Sequence, residues 1–155
     1  MSDKSFSGEL ERALARPDAE KLVRQIDAYA AHIASGDGDW PEKFVDDFGE
    51  ILDSHWEDIE KALAYVVLGA NRSDDPDFVN LLGCGTLEDI LRNPTDEMLD
   101  RIVAEAKRSP RFRWMLNSPY EVAVSKTAWK AIEAFRQTGP HEEPQLETMP
   151  KSYFG

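Results

Sequence analysis

Cys84 stands between two glycines, in Gly83-Cys84-Gly85, and Thr86-Leu87-Glu88-Asp89 follows. A thiol just ahead of a helix N-terminus sits where the helix dipole lowers its pKa, and a thiolate there would be a nucleophile. Such a nucleophile also needs a base, and none of His32, His55 and His141 lies near Cys84 in sequence. The glycines resemble a phosphate-binding turn, but the preceding segment reads as helix and no Gly-Lys-Ser/Thr follows. A small packed turn residue is the reading these neighbours favour.

Glu88 and Asp89 could form an acid–base pair. With Thr86 as N-cap they would fall at the second and third helical positions, where carboxylates satisfy free amides and the dipole. Neighbouring helix residues point about 100° apart, so the two would not converge on one substrate atom. Asp53, His55, Glu57 and Asp58 could serve a hydrolase or hold a divalent ion, yet no His-x-x-x-His spacing accompanies them. No catalytic residue, metal or cofactor is therefore expected. Arg108, Arg111 and Arg113, interleaved with Phe112 and Trp114, have the composition of a phosphate or RNA contact. Salt bridges to the surplus carboxylates are their default fate, and they stand as a second candidate patch.

Charge is the most uneven property of the chain. It carries 30 acids against 18 lysines and arginines, a net of −12. Residues 37–60 hold ten acids against Lys43 alone, whereas residues 101–136 hold eight bases against three acids. Such a field repels phosphate and makes direct nucleic-acid binding unfavourable. Glu42, Asp46, Glu50, Asp53, Glu57 and Glu60 follow steps of three or four and form the first candidate surface. The expected function is a non-enzymatic acidic interaction module for a basic protein partner. An immunity-type inhibitor or a nucleic-acid mimic is a sharper version, and a hydrolase using carboxylates near His55 is the enzymatic alternative.

The elements that must position these residues read as helices throughout. Apolar residues recur at helical spacing and clean alternation is absent. Pro17-Asp18 opens a helix stopped by Ser35-Gly36; Pro41 starts the next; Ser54-His55-Trp56-Glu57 matches a capping box heading a third, with Trp56, Ile59 and Leu63 inward. Thr95 caps a helix, and Ser118-Pro119 opens the last long one, with Val122, Trp129 and Ile132 inward. Asp75-Pro76-Asp77-Phe78 and Ser109-Pro110-Arg111-Phe112 align without gaps as two like helix starts. The expected fold is all-α, stacked helical hairpins forming a short solenoid-like array or an irregular bundle. One domain over residues 1–139 would precede an extended, proline-containing tail over 140–155, whose Leu146, Met149, Tyr153 and Phe154 could anchor it. No apolar run spans a bilayer, the opening residues lack a secretory signal, and one cysteine fits a reducing cytoplasm.

Residues 56–135 resemble a family of small bacterial helical domains of unknown function. The resemblance rests on Trp56, on Gly85-Thr86-Leu87-Glu88-Asp89-Ile90-Leu91, on Leu99-Asp100-Arg101-Ile102-Val103-Ala104-Glu105-Ala106, and on residues 109–116. Cys84 stands where that family commonly has Ala, Thr86 where it has Pro, and Tyr120 near an expected Trp. The resemblance implies an all-helical fold and no activity.

Overall fold

A computed structural model describes residues 3–36, 50, 51, 54 and 56–154, the side chains of residues 3–7 excepted. The described residues form an all-α bundle without a strand. Helix α1 is Asp3–Leu14, α2 Ala19–Ser35, α3 Ile59–Arg72 and α4 Pro76–Leu82. A π-helical turn at Gly83–Leu87 leads into α5, Glu88–Leu91; then come α6, Asp96–Arg108, α7, Pro110–Met115, and α8, Lys126–Ile132. The helix expected from Pro41 lies outside the described residues.

Helix α3 is the centre of the bundle. Residues 62–70 have no polar side chain apart from the Tyr65 hydroxyl, and every one of them is buried. A helix apolar on all sides has to be enclosed, and α1, α2, α4, α5 and α7 pack around it. Phe78 of α4 and Phe112 of α7 are fully buried and fill the space beside it. The two like helix starts fold alike: Asp75 accepts from the Asp77 amide at 3.0 Å and Ser109 from the Phe112 amide at 3.1 Å, each followed by Pro. Thr95 caps α6 as expected, accepting from the Met98 amide.

Local signals misplace four features. Ser54 heads no helix; its hydroxyl donates to the Ile51 carbonyl, and Asp58 caps α3 by accepting from the Lys61 amide at 3.1 Å. Because Asp58 is extended, Trp56 falls out of phase with the core face of α3 and is 76% exposed, and Ile59 is only partly covered. Ser118 does not open the last helix, because it is buried and donates to Asn80 Oδ1 at 2.6 Å; Ser125 caps α8, and Val122 is exposed. Gly83 makes no non-helical turn before Thr86. Its φ of −66° is ordinarily helical, and what it supplies is room. A Cβ there would lie 2.8 Å from the Met115 carbonyl and 2.6 Å from Ser118 Cβ. Helical rotation therefore continues to Leu91, Thr86 is a buried interior residue rather than an N-cap, and Glu88 and Asp89 are not at a free helix start.

Both ends of the described chain converge on Glu105, which is fully buried in α6. One carboxylate oxygen accepts from the Glu9 amide at 3.2 Å and from Arg108 Nη1 at 3.0 Å, and the other accepts from the Tyr153 hydroxyl. Gly8 makes this approach possible. Its φ is +38°, and a Cβ would sit 2.1 Å from Arg108 Nη1. Burial and the neighbouring Glu105 push the Tyr153 hydroxyl well above its usual range. The tail itself lies against α7. Arg111 donates through Nε and Nη2 to the Pro150 carbonyl, at 3.0 and 2.9 Å, and Trp114 Nε1 donates to Thr148 Oγ1 at 2.9 Å.

Candidate functional site

The acidic segment is described only in part. Glu42, Asp46 and Asp53 lie outside the described residues, as does His55, on which the hydrolase alternative depends. Glu50 accepts from Lys61 Nζ at 2.5 Å, Gln25 Nε2 at 2.7 Å and Lys21 Nζ at 3.1 Å. The Lys61 bond, with those from Gln25 and Lys21, holds its carboxyl down to about 2. Gln25 in turn accepts from the buried Tyr65 hydroxyl, so this carboxylate is tied into the core. Glu60 binds Arg101 through two bonds of 2.5 and 2.9 Å, and the same guanidinium grips Glu9. Bonding to Arg101 holds the Glu60 carboxyl below its usual range. Glu57 and Asp58 are exposed beside Trp56. Two of the six candidate acids are thus shared with internal cations, and Glu57 faces solvent.

The three arginines do not form one surface. Arg111 is 1% exposed. Besides the tail it bonds the carbonyls of Ala70 at 3.0 Å and Ser73 at 2.9 Å, and Asp74 at 3.1 Å. Ala70 and Ser73 belong to the C-terminal end of α3, where carbonyls lack helical partners and a cation is favoured. Arg113 donates to the Ala106 carbonyl, and Arg108 to Glu105. Sequence spacing missed Arg111 as an interior clamp because its partners lie about forty positions away.

Cys84 sits in the π turn, half-buried, with Sγ 3.8 Å from the Leu81 carbonyl. Burial, reinforced by the charges of Glu143 and Glu88, pushes its thiol up to about 11. The dipole that would activate it is missing, since the chain is helical on both sides. Glu88 accepts from the Tyr120 amide at 3.0 Å, and burial raises its pKa. Glu143 accepts from the Tyr120 hydroxyl and from Asn80 Nδ2, both at 2.5 Å, and these bonds lower it. Two carboxylates pushed in opposite directions are the usual makings of an acid–base pair. Here both are bound to Tyr120, whose hydroxyl rises to about 12 through its bond to Glu143. The cluster fastens the tail to α4 and to the segment after α7. Among the described residues, no group of three or more His, Cys, Asp and Glu is placed to hold a metal ion. Among them too, no helix is long and apolar enough to cross a membrane.

A family model described as a family of unknown function (DUF6869) matches residues 39–139, about two thirds of the chain. The match takes in the acidic segment and all helices from α3 to α8, and leaves out α1, α2 and the tail. No curated protein and no solved structure matches the chain.

Proposed function

We propose that this chain, which belongs to the DUF6869 family, is a non-enzymatic protein-binding module of the cytoplasm whose acidic segment engages a basic protein. The observation that carries the proposal is Trp56, 76% exposed within a segment holding ten acids against one lysine. Tryptophan is the side chain most enriched among residues that dominate binding energy, and such anchors work best inside a polar rim. Ile59, 36% exposed at the first position of α3, adds a second exposed apolar residue, and Glu57 and Asp58 lie between the two in the chain. Surrounding negative charge would speed encounter with a cationic partner and reject acidic ones. An immunity-type inhibitor and a nucleic-acid mimic would use the same chemistry, differing in the partner alone.

The test separates charge from anchor. Glu50 and Asp58 are unsuitable for reversal, because one is bonded to two lysines and the other caps α3. Asp46→Lys, Asp53→Lys and Glu57→Lys together should remove partner capture at low salt while circular dichroism stays helical. Trp56→Ala should weaken capture about thirtyfold, the cost of a hot spot of roughly 2 kcal/mol. Capture by the wild-type chain should fall as salt rises, because exposed charges more than about 10 Å apart are screened. Recovery of the same proteins by wild type, triple reversal and Trp56→Ala would sink the proposal.

A further inference from the structure

Helix α7 and the segment lying on it have the form of a receptor and a peptide. Three side-chain donors from one short stretch, Ser109 Oγ, Arg111 and Trp114 Nε1, meet three acceptors on the tail. Those acceptors are the Tyr153 carbonyl, the Pro150 carbonyl and the Thr148 hydroxyl. At the end of the row Glu105 accepts the Tyr153 hydroxyl. Proline suits the middle position, since it offers a carbonyl without an amide that would need its own partner.

Part of the receptor side is held by partners other than the tail. Arg111 is fixed from behind by the carbonyls of Ala70 and Ser73, so its remaining donors are aimed before any segment arrives. Such preorganisation lowers the cost of binding. Glu105, Ser109, Arg111 and Trp114 all fall within residues 39–139, the span that defines the family, whereas residues 148–153 fall outside it.

Open clefts flank the tail where it crosses α7. At Pro150 it meets two cavities: one of about 320 Å³ toward Asp74, Pro76 and Met149, and one of about 210 Å³ toward Asn117 and Phe135. Both are open to solvent, so a larger side chain at position 149 could extend into the first without displacing any residue. The tail holds a single short 3-10 turn, Leu146–Thr148, and Lys151, Ser152 and Phe154 are exposed.

We infer that α7 is the floor of a peptide-binding groove, occupied in cis by residues 148–153, that takes an extended segment of another protein carrying the pattern Thr-x-Pro-x-x-Tyr with a bulkier residue after the Thr. The tail is then a competitor that the partner segment displaces. This is independent of the acidic segment and stands or falls separately from it.

The experiment uses the full chain and a fluorescent synthetic peptide of residues 144–154, read by anisotropy, with the mass of the complex measured by light scattering. Tyr153→Phe in the chain removes one hydroxyl and keeps the ring, so the tail should yield and the peptide should bind about tenfold more tightly than to wild type. Thr148→Val in the chain, which removes the acceptor of Trp114, serves the same purpose should Tyr153→Phe fail to fold. In the peptide, Tyr153→Phe should weaken binding about tenfold, the value of a hydrogen bond to a charged group. The peptide bearing Met149→Trp should bind several-fold more tightly by filling the larger cavity. One peptide per chain is the expected complex. Failure of every chain to bind the peptide overturns the inference, as does affinity indifferent to the peptide's Tyr hydroxyl. Weaker binding of the Met149→Trp peptide removes the bulkier occupant. A two-chain species that excludes the peptide assigns the groove to a second copy and overturns the partner segment.

Discussion

Glu50 gathers three donors around one carboxylate, and the consequence is a definite pH dependence. Its ordinary value of 4.5 is brought to about 2 in the folded chain, first by Lys61 and then by Gln25 and Lys21. A depressed folded pKa means that the unfolded chain takes up the proton first as pH falls. The stabilisation from this group is therefore complete above about 4.5 and is lost as pH drops toward about 2. Asp18 and Glu60, held down mainly by Arg16 and Arg101, lose stabilisation in the same direction. Glu50→Gln should lower the unfolding midpoint at neutral pH and flatten its decline through the acid range. Parallel acid profiles for wild type and variant would show that the lysines contribute nothing through this carboxylate. The exposure of the site keeps the effect small, because partly solvated ion pairs are worth on the order of 1 kcal/mol.

At the scale of the element, the turn at Gly83–Leu87 decides how α4 and α5 relate. One extra residue in the rotation shifts the faces that follow, and such turns mark places where packing overrides local preference. The packing at issue is the approach of Ser118 and the Met115 carbonyl to Gly83. Gly83→Ala should cost about 1–3 kcal/mol by overpacking against backbone that cannot swing aside, measured by thermal unfolding. A gain in stability, as expected of Ala for Gly in an unhindered helix, would mean that the contact yields. The same contact explains why sequence reading failed here. A Gly after a hydrophobic pair is a helix-exit signal, and the residues that overrule it at Gly83, Met115 and Ser118, come more than thirty positions later. Where the cause is local, as for Asp75, Thr95 and Ser109, the capped starts were legible from residue type alone. The full burial of α3 is not read, because the run from Ala62 to Ala70 is weighed only as a possible membrane span and one inward face is assigned to this helix. The outward Trp56, the buried Arg111 and the seat of Tyr153 were not legible either, for each depends on a break or partner that periodicity does not register. Of the acidic candidates, the spacing showed their number and order, but not that Glu50 and Glu60 are tied to Lys61 and Arg101.

For the molecule as a whole, Glu105 joins three segments at one carboxylate: α1 through the Glu9 amide, α6 through Arg108, and the tail through Tyr153. Glu105→Ala removes both carboxylate oxygens, so the Glu9 amide, Arg108 and the Tyr153 hydroxyl all lose this acceptor. Losing a buried bond to a charged group costs about 1.5–3 kcal/mol. Hydrogen exchange should quicken around residues 8–14 and 148–153 together, because both rest on the same group. Quickening in one segment alone would show that they dock independently.

That shared anchor also brings the first helix and the tail to one place. Gly8 and Tyr153 approach opposite oxygens of a single carboxylate, so the N- and C-terminal segments meet across one side chain. A short flexible linker between Gly8 and Tyr153 could therefore join the two segments. New termini could then be cut between the exposed Arg92 and Asn93, in the link between α5 and α6. Such a circular permutant should keep the helical circular dichroism of the parent and unfold cooperatively. It would also join the tail covalently to α1 and so hinder any exchange of tails between molecules.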